Sequence, residues 1–218
     1  RYKIYSDINT DLTKNKEGKL TFNVGTDIRY YYPIYRNFIW AARGAVDISW
    51  GSQKILYYLG GSDSWIAPKF NNSNPPAPDM TYAYQSLAVN LRGYKQNVAN
   101  GNNAVVINSE FRLPVFTTLL SRPINNAFVR NFQLIQFIDL GSAWNGAYNK
   151  ISRPYQTYVD GPIRVTLKGS GVGPFAGGYG FGLRSTLLGY FLRVDAGWPM
   201  TGFFSGKPIW YFSLGVDF

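Results

Sequence analysis

Acid–base chemistry in this chain would fall to carboxylates, because the sequence contains no cysteine and no histidine. Thiol nucleophiles, histidine bases and the usual zinc ligand sets are therefore excluded. Glu110 and Asp139 are the pair that a two-carboxylate glycosidase would need. An arginine beside them would lower both carboxyl pKa values and favour a structural ion pair over catalysis. The placement of the arginines therefore decides which role is expected.

One arginine lies in a distinctive stretch, Leu91-Arg92-Gly93-Tyr94, near the end of a long irregular segment at about 60–100. This segment includes an Asn/Pro-rich run at 71–79. A structureless loop of this length is uncommon in a compact domain and usually indicates function or disorder. An arginine beside a glycine, bracketed by leucine and tyrosine, favours an anchored loop tip.

Alternating apolar and polar residues flank this loop and predict antiparallel strands. The alternation covers residues 2–11, 19–32, 38–50, 104–115, 128–144, 177–184, 190–198 and 208–218. These segments have about ten residues each, more than the five or six typical of globular proteins. A turn is predicted at 15–18, a second long loop at about 145–173 with a short hairpin arm near 163–168, and no helix.

Composition leaves two classes open, a soluble antiparallel β protein and a membrane β-barrel. Charged residues make up 16% of the chain and aromatic residues 17%, whereas a typical soluble domain is about 25% charged. No run of about 18 apolar residues predicts a membrane-spanning helix. The long segments carry aromatics near their ends, as interfacial girdles do, which favours the membrane reading. These aromatics are Tyr30, Tyr32, Trp40 and Trp50.

The net charge of +10 could attract nucleic acid or anionic lipid. The basic residues are spread over many strands rather than gathered in one patch, so no nucleic-acid partner is expected. The expected explanation of the net charge is that basic residues line the rims and the water-filled interior of a barrel.

The chain opens on Arg1 without an initiator methionine or signal-peptide pattern, which predicts the interior or C-terminal part of a longer protein.

The parity of the strands assigns a set of charged residues to the inner face. This set is Glu110, Arg112, Asp139, Arg184, Arg193 and Asp195. The same face carries Gly178, Gly180 and Gly182, a bare strip where another backbone can approach. An eight-stranded barrel is filled by its own side chains. A wider barrel is therefore predicted, with the loop inside it and resting on the glycine strip.

Inside such a barrel, Arg92 can reach Glu110 and Asp139. Arginine offers carboxylates a planar bidentate geometry that lysine cannot match. Removing one partner costs about 3–5 kcal/mol in a dry site and roughly 0–1 kcal/mol in a wet one. Spacing alone leaves open the alternative that Arg92 is a solvated loop cation.

These motifs resemble a known family. The stretch 91–94 resembles the V/I-R-G-F/Y tip of lumenal loop six in the BamA/TamA superfamily of outer-membrane assembly and translocation barrels, with leucine in place of the usual valine or isoleucine. Segments 109–114, 137–141 and 177–184 resemble the next three strands of the family in order. The Gly60-Gly61-Ser62 start and the long insert resemble variants from Bacteroidetes-type bacteria.

The end of the chain resembles the C-terminal signal strand of the same family. The residues that carry this likeness are Trp210, Phe212, Leu214, Gly215, Val216 and Phe218. Phe218 could also serve only to mark this protein as a substrate for assembly, and the two roles are compatible.

The resemblance implies an all-β, antiparallel transmembrane barrel of 16 strands in the bacterial outer membrane. Residues 1–218 would be its last eight strands and part of one domain. The family's latch, a loop arginine bound to acidic residues on the following strands, maps to Arg92, Glu110 and Asp139. The implied function is non-enzymatic insertion or translocation of other proteins through a lateral seam at the C-terminal strand, without a cofactor or metal.

The implied partners are outer-membrane lipids including lipopolysaccharide, unfolded outer-membrane or secreted client proteins, and accessory lipoproteins. Two alternatives remain at this point: a passive pore or receptor barrel, and a barrel that anchors a larger protein with a different N-terminal domain. An outer-membrane hydrolase is disfavoured, because the known proteases and lipases of that kind rely on histidine.

Overall fold

The computed structural model describes residues 1–10, 19–88, 90–120, 123–147, 155–160, 163–168, 175–201, 204 and 206–216. These residues form an all-β protein with two short helices, which confirms the all-β, antiparallel part of the predicted fold class. Among them, no helix is long and apolar enough to cross a membrane. The predicted turn at 15–18, residues 148–154, 161–162 and 169–173 of the predicted loop at 145–173, and Phe218 lie outside the described residues.

Eight antiparallel strands form one sheet, in the order β1-β2-β3-β7-β8-β11-β12-β13. Their bounds are Tyr2–Thr10 (β1), Leu20–Tyr35 (β2), Phe38–Gly51 (β3), Asn103–Pro114 (β7), Gln133–Trp144 (β8), Ala176–Leu187 (β11), Tyr190–Pro199 (β12) and Ile209–Val216 (β13). Each of the eight alternating segments of the sequence therefore contributes one strand, and β1 and β13 lie at the two edges of the sheet.

Two smaller sheets and two helices lie between these strands. The strands β4 (Lys54–Leu59), β5 (Tyr82–Leu87) and β6 (Ala99–Gly101) form a three-stranded sheet in the order β5-β4-β6. A hairpin joins β9 (Tyr155–Asp160) to β10 (Ile163–Lys168), where a hairpin arm was predicted. The helices are α1 (Val115–Leu119) and α2 (Ala127–Arg130).

Three sequence-based expectations about the elements were wrong. No helix was predicted, whereas α1 and α2 are present. The segment 128–144 begins with α2, capped by Asn126 through a 3.2 Å hydrogen bond from the backbone nitrogen of Val129, so its strand starts only at Gln133. The segment 60–100 is not structureless, because β5 and β6 pair with β4. The strand β4 is buried on both faces and therefore shows no alternation for a period-two search to detect.

The large sheet is apolar on its exposed face and polar on its covered face. Large exposed side chains on the apolar face include Ile4, Ile28, Ile48, Ile107, Phe111, Leu134, Ile138, Phe181, Leu183, Phe212 and Leu214. A sheet of a soluble protein normally covers its apolar face and exposes its polar one. Contiguous exposed apolar surface of this kind marks a site of contact with lipid or protein.

The hydrophobic core lies between the three-stranded sheet and the inner face of the large sheet. Buried side chains from both layers meet there: Ile55, Tyr57, Leu59, Ala88, Leu91, Ala99, Ala104, Val106, Ala143 and Ala176. The loop therefore folds as a second layer on the inner face, and Leu91 at its tip is part of this core.

Candidate functional site

The base of the loop tip is fixed by a short backbone bridge. Gly61 and Leu91 exchange two hydrogen bonds, of 3.1 and 3.2 Å. Gly60 and Gly61 both have positive φ angles, 104° and 89°, which glycine adopts without strain. A β-carbon on Gly60 would also overlap the carbonyl oxygen of Lys95. The glycine pair thus lets the chain turn sharply enough to hold Leu91 in the core.

Arg92 is buried, with 1% of its surface exposed, and it binds Asp139 through three nitrogens. Its backbone nitrogen and its Nε donate to Asp139 Oδ2 at 3.0 and 2.8 Å, and its Nη2 donates to Asp139 Oδ1 at 2.9 Å. The side-chain pair is bidentate, the geometry that gives guanidinium–carboxylate pairs their strength. The structure therefore does not support a solvated loop cation.

Two further carboxylates and an aromatic ring complete the surroundings of the Arg92 guanidinium. Glu110 Oε1 lies 2.8 Å from Nη2, and Asp195 Oδ2 lies 3.2 Å from Nη1. The Cζ atom lies 3.6 Å from the centroid of the Phe137 ring, in a cation–π contact. One face of the guanidinium thus lies against an aromatic ring, and Nε, Nη1 and Nη2 each have a carboxylate partner.

Burial by itself disfavours the charged form of Arg92, but the carboxylates of Asp139, Glu110 and Asp195 outweigh it and hold the pKa well above its usual value. The group is therefore cationic at every pH at which the protein is folded. Loss of one carboxylate would leave this buried charge undercompensated, which is costly.

Glu110 connects this pair to two more arginines. Arg184 Nη2 lies 2.7 Å from Glu110 Oε1, and Arg112 Nη2 lies 2.7 Å from Glu110 Oε2. Asn108 donates to Asp139 Oδ1 at 2.8 Å and to the backbone oxygen of Asn90 at 2.7 Å. The strands β7, β8, β11 and β12 therefore all contribute polar groups that hold the loop tip.

The three strip glycines of β11 make room for three different parts of this site. A β-carbon on Gly178 would overlap the carbonyl oxygen of Arg92, and one on Gly182 would overlap the Asp195 carboxylate. One on Gly180 would overlap the carbonyl oxygen of Ala196 on β12 and come within 2.7 Å of the Phe137 ring. The loop backbone therefore rests on Gly178, and the expectation that it rests along all three glycines is corrected. Gly180 and Gly182 accommodate the groups that bind Arg92.

A glycine of the neighbouring strand, missed by the sequence analysis, supports the tip as well. A β-carbon on Gly197 of β12 would lie 2.6 Å from the backbone nitrogen of Gly93, and one on Gly93 would lie 2.5 Å from the carbonyl oxygen of Trp198. Gly93 has a φ of 99°. The parity that placed Asp195 on the inner face also places Gly197 there, so a signal existed in the sequence.

Tyr211 of β13 is the second missed residue. Its hydroxyl accepts a 2.8 Å hydrogen bond from the backbone nitrogen of Gly93 and donates a 2.7 Å one to the carbonyl oxygen of Tyr94. Tyr94 in turn donates from its hydroxyl to the carbonyl oxygen of Gly177 at 2.9 Å. The tip is thereby tied to the last strand as well as to β11.

The residues of the predicted signal strand lie mainly on the opposite face. The side chains of Trp210, Phe212 and Leu214 are exposed on the apolar face of the sheet, and Gly215 belongs to the same strand. Val216 ends β13. This strand thus presents apolar residues outward and Tyr211 inward to the loop.

A polar cavity of about 210 Å³ lies beside the ion-pair network. Its lining includes Arg29, Arg43, Arg92, Arg112, Arg184 and Arg193. Each of these arginines also has a carboxylate within 4.0 Å, so the cavity does not present a set of free cations. Glu110, Asp139 and Asp195 are likewise bound to arginines, an arrangement suited to holding the loop rather than to proton transfer. No protein-family model and no curated protein matches this chain.

Proposed function

We propose that this chain is part of a transmembrane β-barrel of the bacterial outer membrane that inserts or translocates other proteins without catalysing a covalent reaction. The observation that carries the proposal is the buried attachment of Arg92 to Asp139, Glu110 and Asp195. This attachment is the latch that the resemblance to the BamA/TamA superfamily implies. In the following, the latch means Leu91–Tyr94 together with Glu110 and Asp139.

The distribution of apolar residues supports a membrane location. Large aliphatic and aromatic side chains are exposed on the outer face of the sheet, while the charged network is buried on the inner face. Strands such as β7, β8 and β11, with 12 residues each, have the length that a tilted strand needs to cross a bilayer. Alternation of outward apolar and inward polar residues is typical of such strands.

The layer on the inner face supports a wide barrel. The three-stranded sheet and the loop tip pack against the inner face of β7, β8 and β11. The interior of an eight-stranded barrel holds little beyond its own side chains. We infer that further strands complete the wall from the edges of β1 and β13, in line with the 16 strands that the resemblance implies.

Insertion of a client would take place at the edge of β13. The backbone groups of an edge strand can pair with an extended segment of another chain. The latch stiffens the wall beside this edge, because Tyr211 of β13 binds the backbone of the loop tip. Clients would then add strands at the seam while the latch keeps the remaining wall intact.

The test uses the intact protein in liposomes, with an unfolded outer-membrane barrel supplied as client. Residues 1–218 contain no cysteine. With any cysteine elsewhere in the intact protein replaced, a cysteine pair placed in β13 and in the strand that meets it gives a single disulfide. We expect oxidation of this pair to stop the appearance of protease-resistant client, and reduction to restore it. Undiminished insertion under oxidation, or steady conductance in a planar bilayer without client cross-links, would indicate a passive pore instead.

A further inference from the structure

Two pairs of arginines lie directly opposite each other on neighbouring strands of the large sheet. Arg29 of β2 is opposite Arg43 of β3, and Arg184 of β11 is opposite Arg193 of β12. Both pairs line the polar cavity on the inner face. Like charges directly opposite on antiparallel strands destabilise a sheet. An anion held between the two members of such a pair removes this repulsion.

The first pair has an anion of this kind in the chain itself. The carboxylate of Asp27 accepts hydrogen bonds from Nε and Nη2 of Arg29 at 3.1 and 2.9 Å. It also accepts from Nε and Nη2 of Arg43 at 3.1 and 2.6 Å. One carboxylate therefore bridges both guanidinium groups, and each contact has the planar bidentate geometry that arginine offers to an oxyanion.

The second pair, Arg184 and Arg193, lacks such a bridge. Arg184 Nη2 lies 2.7 Å from Glu110 Oε1, whereas Arg193 Nε lies 3.5 Å from Asp195 Oδ2, which is too long for a hydrogen bond of normal length. Among the described residues, no carboxylate lies within 4.0 Å of both arginines. The Nε atoms of Arg184 and Arg193 are both buried and have no hydrogen-bond partner in this part of the chain.

The chemistry of these atoms and their surroundings indicates what the missing partner is. A guanidinium N–H can only donate, so the partner must be an acceptor. Buried polar groups without a protein partner usually mark an ordered water or an ion. The cavity lining carries six arginines but only two carboxylates, Asp63 and Glu110, and Glu110 is shared by three of these arginines. This balance favours an anion over water.

The volume of the cavity limits the size of the ligand. At about 210 Å³, the cavity is smaller than the roughly 300–1,000 Å³ of pockets that hold drug-sized molecules. It can therefore hold a small ion together with a few waters. A phosphate or carboxylate group has at least two acceptor oxygens, enough to bind two guanidinium groups at once, as the carboxylate of Asp27 does.

We propose that the polar cavity binds one small oxyanion between Arg184 and Arg193, where it takes the role that Asp27 has between Arg29 and Arg43. The anion accepts from the Nε atoms of both arginines and joins β11 to β12 beside the latch. Nothing in this site requires a client protein. The inference therefore holds equally for an insertion barrel and for a passive pore.

The experiment titrates inorganic phosphate into the intact protein and measures binding by isothermal titration calorimetry. The protein is held in micelles of a maltoside detergent, which carries no phosphate. Sodium chloride keeps the ionic strength constant, so that a change in general charge screening does not pass for binding. Heat-modifiable migration of each variant shows that folded proteins are compared.

Arg184→Gln removes one side of the site and leaves Glu110 bound to Arg92 and Arg112. We expect it to weaken phosphate binding at least about tenfold, the effect of losing hydrogen bonds between charged groups. The matched control is Arg130→Gln, which makes the same change of charge at an exposed position of α2 outside the cavity lining. It should bind phosphate as the wild type does.

Gln133→Glu tests the same site without removing an arginine. Gln133 of β8 lies directly opposite Arg184, so a carboxylate there gives Arg184 a resident partner of the kind that Arg29 and Arg43 already have. We expect this variant also to bind phosphate at least about tenfold more weakly than the wild type. Because every arginine is kept, it decides the matter if Arg184→Gln does not fold.

Two results would overturn the inference. If the wild type shows no phosphate binding at millimolar concentration, the buried Nε atoms bind water only. If phosphate binding is equally strong in the wild type and in Gln133→Glu, or falls equally in Arg184→Gln and Arg130→Gln, the anion does not lie between Arg184 and Arg193. Loss of binding in Arg184→Gln and Gln133→Glu, with binding kept in Arg130→Gln, supports the site.

Discussion

Two arginine–aspartate clusters face the inside of the large sheet, and they differ in burial. In the latch, Arg92 and Asp139 are inaccessible to solvent, and the ion pair joins a loop to a strand 47 residues away. In the other cluster, Asp27 of β2 binds Arg29 and Arg43 at 2.9 and 2.6 Å. Arg29 keeps 37% of its side chain exposed. The side chains of Arg43 and Asp27 are 23% and 14% exposed. The two clusters thus use the same chemistry in a fully buried and a partly buried setting.

The difference shows how the loop is held. Exposed ion pairs contribute about 0–1 kcal/mol because water screens them and flexible side chains lose entropy. A buried pair is worth little relative to a hydrophobic substitute, but breaking it is severe because one charge stays unpaired. The Asp27 cluster therefore adds little to the stability of the two adjacent strands that carry it. In the latch, by contrast, the ion pairs fix the position of the loop tip, because moving the tip would leave buried charges unpaired.

The largest effect is expected for Arg92→Ala. The substitution leaves Asp139, Glu110 and Asp195 with an empty space between them and should reduce the free energy of unfolding by about 3–5 kcal/mol. Arg92→Lys keeps the charge but not the planar fork and should recover only part of this loss. Urea titration of the folded protein in micelles measures both. A change in the free energy of unfolding below about 1 kcal/mol for the alanine variant would show that the latch contributes no more than an exposed ion pair.

Gly178→Ala tests whether the tip rests on β11. Its β-carbon would overlap the carbonyl oxygen of Arg92, so the strand or the loop must move, at a cost of about 1–3 kcal/mol. The matched control is Gly44→Ala in β3, which meets nothing within 4 Å and should have little effect. Similar unfolding free energies for the two variants would contradict the close approach of the loop to Gly178.

Tyr211→Phe should cost about 1–3 kcal/mol, because the backbone nitrogen of Gly93 and the carbonyl oxygen of Tyr94 lose a shared partner in a buried place. The ring contact with Trp65 is kept. Tyr5→Phe is the comparison variant on the inner face: it removes a hydroxyl that donates to Asp47 at a partly buried site. We expect its loss in unfolding free energy to be the smaller one, and a larger loss there would reverse the comparison.

The smallest effect is expected for Asp27→Asn. Both arginine partners can be hydrated in its place, so the free energy of unfolding should fall by no more than about 1 kcal/mol. Raising the salt concentration should weaken the wild-type cluster in the same direction. The measurement is the same urea titration at two ionic strengths. A loss as large as that of Arg92→Ala would show that burial is not what separates the two clusters.

Much of this architecture follows from period-two alternation. Side-chain parity assigned Asp139 and Asp195 to the inner face, because each strand residue has only two directions available. Parity does not give depth along the strand or distance across the sheet. For this reason Asp195 was assigned to the inner face but not recognised as a partner of Arg92.

Other features could not be predicted from the sequence, for identifiable physical reasons. The strand β4 is buried by layers on both sides and has no alternation to detect. Parity places Gly197 on the inner face, but its close approach to Gly93, and the hydrogen bonds of Tyr211 with residues 93–94, depend on the strand order, which parity does not give. The contact of residues 65–66 with β13 was predicted as loop because its strand-like pairing extends over only two residues, Trp65 and Ile66.

The central claim is that a buried arginine of the loop is coupled to a carboxylate of the wall. A double-mutant cycle on Arg92 and Asp139, with Arg92→Ala, Asp139→Asn and their combination, measures that coupling directly in unfolding free energies. The structure predicts a coupling of about 2 kcal/mol or more, against less than about 1 kcal/mol for the same cycle on Arg43 and Asp27. Additive effects of Arg92→Ala and Asp139→Asn would contradict the latch.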